Sequence, residues 1–269
     1  MSYTPKEVPE HVNVTPVHPL VNFLYLVGTV ITFSALVYWL LGLVAAQLII
    51  RISPEMEARI GQQLIATVET SKPQQQEYLE ELLASLHEPQ TISVPLTLHV
   101  VDYEQPNAAV LPGGHILLTE GLLKQAESEN ELAFVLAHEL GHIVARDSLR
   151  GLGRSLVLLT VTSALGFGTG GSPPSGLVTL TGQLTDLHYS RQQETAADLY
   201  ALTALIRVYG HGGYGLDFFA RTQKEDKGKL GLFSTHPLTQ QRLDYLRKVA
   251  REREWKMTGK ATDLPASFE

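Results

Sequence analysis

Apolar positions along the chain change their pattern several times. From Val21 to Ile50 no charged residue occurs: VNFLYLVGTVITFSALVYWLLGLVAAQLII. As a helix this run would be roughly 45 Å long, against a bilayer hydrocarbon core of about 30 Å. It predicts a transmembrane anchor that is tilted or that continues along the interface. A buried core helix and a cleaved signal peptide are the competing readings. The run far exceeds an h-region of about 7–15 residues, and no A-x-A site closes it.

After the anchor the pattern becomes amphipathic. Ser53-Pro54-Glu55 reads as a helix start, with a Ser cap, Pro at the first position and acid in the first turn. That helix is expected to run to about Thr70. SKPQQQ breaks it, and a polar helix follows over about Gln75–His87. Ile92–Tyr103 is rich in β-formers. Asn107–Leu123 reads as strand, Pro112-Gly113-Gly114 turn, strand and helix, the glycines supplying positive φ. Ser128-Glu129-Asn130-Glu131 is a capping-box pattern. It opens a helix expected to reach Arg146, with an apolar stripe at Leu132, Val135, Leu136, Leu140 and Ile143. Ser155–Thr185 is uncharged but broken by GTGGSPPSG. It is read as a buried helical hairpin, with a membrane-dipping hairpin as the alternative. Helices are expected over about Ser190–Val208, Tyr214–Lys224 and Pro237–Glu254, followed by a loose tail.

Composition narrows the function. The chain has 269 residues, 44% of them hydrophobic, enough for a sizeable core. A net charge of −7 argues against nucleic acid as a partner. With no cysteine, disulfides and thiolate ligands are excluded, so any metal must be held by His, Asp or Glu. Lys6, beside Glu7 and Glu10, precedes the apolar run, and Arg51 and Arg59 follow it. The positive-inside rule then places residues 51–269 on the cytoplasmic side of a single-pass anchor.

The candidate chemistry lies in LAHELGHIVARD, residues 136–147. His138 and His142 are four apart, hence on one helix face about 5–6 Å apart, and both can reach one ion about 2 Å away. Glu139 lies off that face, within reach of a metal-bound water. In this pattern two histidines hold Zn2+, the ion lowers the pKa of its water, and Glu139 serves as base and then acid. A chance H-E-x-x-H is expected in roughly 3 of 100 shuffled chains, so a helix with two solvated histidines stays open. A catalytic site needs a third protein ligand. Glu194, in Glu194-Thr195-Ala196-Ala197-Asp198, offers one. Asp198, four residues on, could fix the tautomer of a ligand imidazole. The small Ala196 and Ala197 would let two helices approach closely. Taken alone, the Glu194–Asp198 pair could equally be a solvated helix face.

Together these motifs resemble the membrane-associated gluzincin peptidases, which include HtpX-like proteases, CAAX prenyl-protein proteases and the mitochondrial overlapping-activity protease. Four features match in order over about Ile92–Arg251: Asn107-Ala108 followed by Leu111-Pro112-Gly113-Gly114 and Gly121-Leu122; His138-Glu139-Leu140-Gly141-His142; Glu194-Thr195-Ala196-Ala197-Asp198; and Ser234-Thr235-His236-Pro237 followed by Arg242. The resemblance implies an α+β, mainly helical zincin-type metallopeptidase domain with a small β-sheet, one Zn2+ per chain and endopeptidase activity. It implies His138, His142 and Glu194 as ligands, Glu139 as catalytic base, and Asp198 behind the ligands. It further implies His236 as the residue that stabilises the oxyanion, supported by Arg242; a turn-capping histidine before Pro237 is the plainer reading. Asn107, Ala108, Ala109 and Val110 would form an edge strand that binds extended substrate. His115 and His188 read as structural or surface histidines. HtpX-like members usually carry several spans, whereas this chain has one clear span. That departure speaks against a prenylated substrate and for a single-anchor quality-control or processing role.

The expected organisation is a flank at 1–20, an anchor at 21–50, a helical linker region at 51–90, a zinc metallopeptidase domain at 91–254 and a tail at 255–269. Polypeptide substrate and membrane lipid are the expected partners. A non-catalytic membrane adaptor that retains the fold is the alternative to a zinc endopeptidase.

Overall fold

The computed structural model describes residues 18–71, 73–88, 91–164, 181–182, 188–217, 236 and 239–268. The helix α1, Pro19–Ile50, is the uncharged run, and its side chains are almost all exposed. It is long and apolar enough to cross a membrane. Helix α2, Pro54–Ile65, starts where Ser53 Oγ accepts the Met56 amide. It stops short of Thr70. Thr67 Oγ1 turns back to donate to the Leu64 carbonyl, and Ser71 forms a bridge with Val100, which draws the chain into the sheet.

Helix α3, Gln76–Leu86, buries Leu79, Leu82, Leu83 and Leu86 at helical spacing. Strands β1 (Thr97–Val101), β2 (Ala108–Leu111) and β3 (His115–Thr119) form a sheet in the order β1-β3-β2. β1 and β3 are parallel, and β2 and β3 form the antiparallel hairpin, with Ala109 opposite Leu117. Its turn needs both glycines: Gly113 and Gly114 have φ of 86° and 83°, a region costly to any residue with a Cβ. Among the described residues β2 pairs only with β3, which leaves it at the sheet edge.

Helix α4, Glu120–Gln125, is capped by Thr119. Helix α5, Glu129–Val144, carries the H-E-x-x-H motif and is buried on nearly every side. Ser128 Oγ accepts the Glu131 amide as expected, but the Glu131 carboxylate takes the Glu127 amide rather than that of the cap residue. Helix α6 is Asp147–Ala164, helix α7 is Arg191–Tyr209 and helix α8 is Gln240–Glu252, with a 3-10 turn at Ala266–Phe268.

The two sheet faces serve different neighbours, as the period of two requires. Leu98, Val100, Ala108, Val110, Ile116 and Leu118 join the main core with α3, α5 and α7. Leu111 and Leu117 join a second cluster with Ile49, Leu64, Leu149 and Leu152, where the anchor meets the domain.

Three further expectations change. α5 ends at Val144 rather than Arg146, because Arg146 takes a φ of 53° and its guanidinium is held by Glu57 and the Ile52 carbonyl. The segment expected as a helical linker contributes α2 and α3 to the cores. The expected loose tail is docked: Trp255, Met257, Leu264 and Phe268 pack on the main core, and the Thr262 carbonyl accepts the Glu129 amide. The apolar area such side chains remove from water outweighs the loss of chain freedom. The GTGGSPPSG break, most of the expected 214–224 helix, and Ser234, Thr235 and Pro237 lie outside the described residues.

Candidate metal centre

α5 and α7 cross at two small residues. A Cβ placed on Gly141 would lie 2.7 Å from Ala197 Cα, so the backbones meet where Gly occupies one side. This approach brings the His138/His142 face of α5 onto the Glu194/Asp198 face of α7. All four side chains are buried.

His138 Nε2 and His142 Nε2 lie 3.2 Å apart. Glu194 Oε2 is 3.6 Å from His138 Nε2, and Glu194 Oε1 is 3.4 Å from His142 Nε2. His236 Nδ1 lies 3.2 Å from His138 Nε2 and 3.0 Å from Glu194 Oε1. One ligand atom from each of His138, His142, Glu194 and His236 falls within 4.8 Å of the others. His236, expected beside the oxyanion, therefore stands within ligand range.

Each α5 histidine is held from behind. Asp198 Oδ1 lies 3.1 Å from His138 Nδ1, and Asp147 Oδ2 lies 3.0 Å from His142 Nδ1. Carboxylate acceptors there keep a proton on each Nδ1 and aim both Nε2 atoms at the cluster. Arg242 donates to both Asp198 oxygens, at 2.6 and 2.7 Å, and its Nη1 is 2.8 Å from Glu194 Oε2. Its support therefore goes to the two α7 carboxylates, because a buried cation needs buried anions.

Asp147 was not read from sequence as a site residue. On a continuous helix the fifth residue after His142 would sit about 140° round, facing away. The break at Ala145-Arg146 reverses that. Gln193 holds Asp147 in place, with Nε2 2.6 Å from Asp147 Oδ1, while Gln193 Oε1 accepts the Ser190 amide in the α7 capping box. Tyr189 was also missed; its ring stacks on His142 at a centroid distance of 4.0 Å. Neither residue forms a motif that spacing alone could reveal.

The electrostatics follow from burial and pairing. Burial by itself would raise the Glu194 carboxyl, yet His142 and His236 hold it well below the usual carboxylate range. Burial would lower His142, but Asp147 and Glu194 raise it to about 9. Burial keeps His138 below its ordinary value despite Asp198 and Glu194.

The residues present fit a dication. Two imidazole nitrogens and a carboxylate converge, the donor set of a catalytic zinc site. Both oxygens of Glu139 are buried without a hydrogen-bond partner among the described residues, a costly arrangement unless a polar group sits between Glu139 and the cluster. His236 Nε2 lies 3.7 Å from Glu139 Oε1, on the same side.

Comparison with known proteins agrees with this geometry. The model of peptidase family M48 matches residues 73–250. The mitochondrial metalloendopeptidase OMA1 of Schizosaccharomyces pombe is 32% identical over 157 residues, covering 54% of this chain and 44% of that protein. The putative beta-barrel assembly-enhancing protease of Vibrio cholerae is 28% identical over 173 residues, covering 60% and 36%. OMA1 of Saccharomyces cerevisiae is 29% identical over 167 residues, covering 56% and 46%. The matches thus span less than half the length of these relatives. A crossing of α5 and α7 that gathers two histidines and a glutamate, on a chain whose larger part matches the family model, has one reading: the chain belongs to peptidase family M48, the zinc metallopeptidases.

Proposed function

We propose that this chain is a membrane-anchored endopeptidase acting in protein quality control or processing at the membrane, with its catalytic domain on the cytoplasmic side. The observation that carries the reading is Glu139: a carboxylate with both oxygens buried and, among the described residues, unbonded, beside His138, His142 and Glu194.

His138, His142 and Glu194 would hold the ion, with Asp198 and Arg242 fixing their geometry. Zinc held there would supply Lewis acidity to a water and to the scissile carbonyl. Glu139 takes the proton of the attacking water and passes it to the departing amide nitrogen. His236 donates to the oxygen that gains charge at the carbonyl. The substrate lies extended along β2 at Asn107, Ala108, Ala109 and Val110 and adds main-chain hydrogen bonds to that strand. A cavity of about 380 Å3 flanks that strand, lined by Val68, Val101, Tyr103, Ala109 and Leu117 among others, and suits an apolar substrate side chain.

The test is metal analysis with two variants. Wild type is expected to hold one zinc per chain and to cleave casein. Glu139→Gln should keep the zinc and lose cleavage by at least 100-fold, in line with the worth of a general base. His138→Ala should lose both. Zinc-free wild type, or normal cleavage by Glu139→Gln, would falsify this assignment.

A further inference from the structure

We infer that α6 accompanies α1 into the bilayer as an antiparallel second segment, which holds the metal cluster at the membrane surface and selects juxtamembrane stretches of integral membrane proteins as substrate. The inference rests on reading α1 as a membrane span.

Two contacts set the direction of α6 relative to α1. Arg146, just before α6, donates to the Ile52 carbonyl at 2.9 Å, just after α1. Seven residues further along the chain, a Cβ on Gly153 would meet Ile49 Cδ1 at 2.6 Å and Ala45 Cβ at 3.7 Å. As α6 advances, its partner on α1 moves backwards, away from the domain. The less exposed positions of α1 agree: Ser34, Val37, Leu41, Ala45 and Ile49 recur every three or four residues and form one covered face. From Gly153 to Ala164 α6 rises about 16 Å, as does α1 from Ala45 back to Ser34.

Water is a poor solvent for this pair. Leu43, Val44, Leu48 and Ile50 on α1 are 48–70% exposed, so the apolar surface continues to the last turn. Hydrocarbon reaching the level of Ile50 is the medium that accommodates it. Gly153 already lies at that depth. Arg154 is the last charge on α6, and Ser155–Ala164 has none. Arg150 and Arg154 are exposed and long enough to reach the headgroups. Beyond them Val157 is buried and Leu156 is 48% exposed, as expected of a helix with one face on α1 and another in lipid.

The consequence for the site is a distance. Asp147 opens α6 at the level of Ile52 and binds His142 at 3.0 Å, so the cluster stands within roughly 10 Å of the hydrocarbon boundary. An extended chain covers that distance in three or four residues. A protein that crosses the same bilayer presents its first residues outside the membrane at this height.

The absence of cysteine permits single-site labelling of the full chain. Leu48→Cys, Leu156→Cys and Thr203→Cys would each carry an environment-sensitive fluorophore and be reconstituted in phosphatidylcholine vesicles, with retained zinc as the check on folding. Labels at 48 and 156 should be quenched by lipid-borne nitroxide and not by iodide, and the label at 203 should behave in the opposite way. Iodide quenching at 156 with lipid quenching at 48 overturns the inference and leaves the anchor intact; iodide quenching at both positions removes the anchor reading itself. Arg154→Cys should report an intermediate depth, which supplies a second reading if Leu156→Cys loses zinc. Single-span test substrates with a cleavable stretch at increasing distance from their apolar run should be cut mainly within roughly the first six residues. Equal cleavage at all distances overturns the substrate assignment.

Discussion

Gly141 and Ala197 touch where the two motif helices cross; a Cβ on Gly141 would lie 2.7 Å from the Ala197 Cα. The obstacle is backbone, which no rotamer change can move. Gly141→Ala must push α5 and α7 apart and so separate His138 and His142 from Glu194. The expected cost is about 1–3 kcal/mol of stability, the usual range for overpacking, with weaker zinc binding. Thermal unfolding and a zinc titration measure both. An unchanged zinc affinity would show that the crossing does not set the metal geometry.

Asp147 orients His142 across a break in the chain. Asp147→Asn keeps the volume but loses the carboxylate acceptor 3.0 Å from His142 Nδ1. Zinc affinity should fall about 10–100-fold, the usual effect of losing such a partner. Competition against a chelator of known affinity is the measurement. Gln193→Ala should act in the same direction and more weakly, since it removes the donor that holds Asp147.

Arg242 neutralises Glu194 and Asp198 in a buried setting. Arg242→Met leaves two carboxylates without their cation. Breaking a buried ion pair costs about 3–5 kcal/mol, so the zinc-free protein should unfold at markedly lower denaturant. Bound zinc should recover part of that stability, because it favours only the folded state. Equal denaturation midpoints for the variant and wild type would contradict this.

His236 separates two roles by its readout. If it donates to the oxyanion, His236→Phe keeps stoichiometric zinc, keeps KM and lowers kcat by about 100–1000-fold, the typical loss of one such donor. If it serves mainly as a ligand, zinc itself is lost. Metal content and kinetics on the same sample distinguish the outcomes.

His115 gives the stability a pH dependence away from the metal. Burial and the neighbouring His99, 3.0 Å from it, lower His115 to about 4. Its unfolded value is about 6.5. Between these values the unfolded chain binds the proton and the folded chain does not. The contribution is therefore complete above about pH 6.5 and is lost as pH falls towards 4. Allowing for partial solvation, it is about 1–2 kcal/mol. Denaturant titrations at pH 7 and pH 4.5 should show wild type losing more stability than His115→Gln.

The elements were legible wherever period and caps agreed. Ser53, Ser128 and Ser190 mark the starts of α2, α5 and α7, and Pro112-Gly113-Gly114 marks the hairpin. The pairing of His138 with His142 and of Glu194 with Asp198 was legible because a four-residue spacing on a helix is itself a geometric statement. Asp147, Tyr189 and Gln193 were not legible. Asp147 depends on a left-handed residue at Arg146, and that depends on Glu57, 89 residues earlier. The docked tail depends likewise on contacts with α3 and α5. Local sequence alone thus determined which side chains share a face and which run is apolar enough to enter a membrane, because those properties follow from backbone period and transfer free energy. Only the tertiary structure decided that the two faces meet at Gly141 and Ala197, that a broken helix brings Asp147 behind His142, and that α6 turns along the anchor. Each of these is set by which distant surfaces bury one another, and a one-dimensional pattern carries no such information.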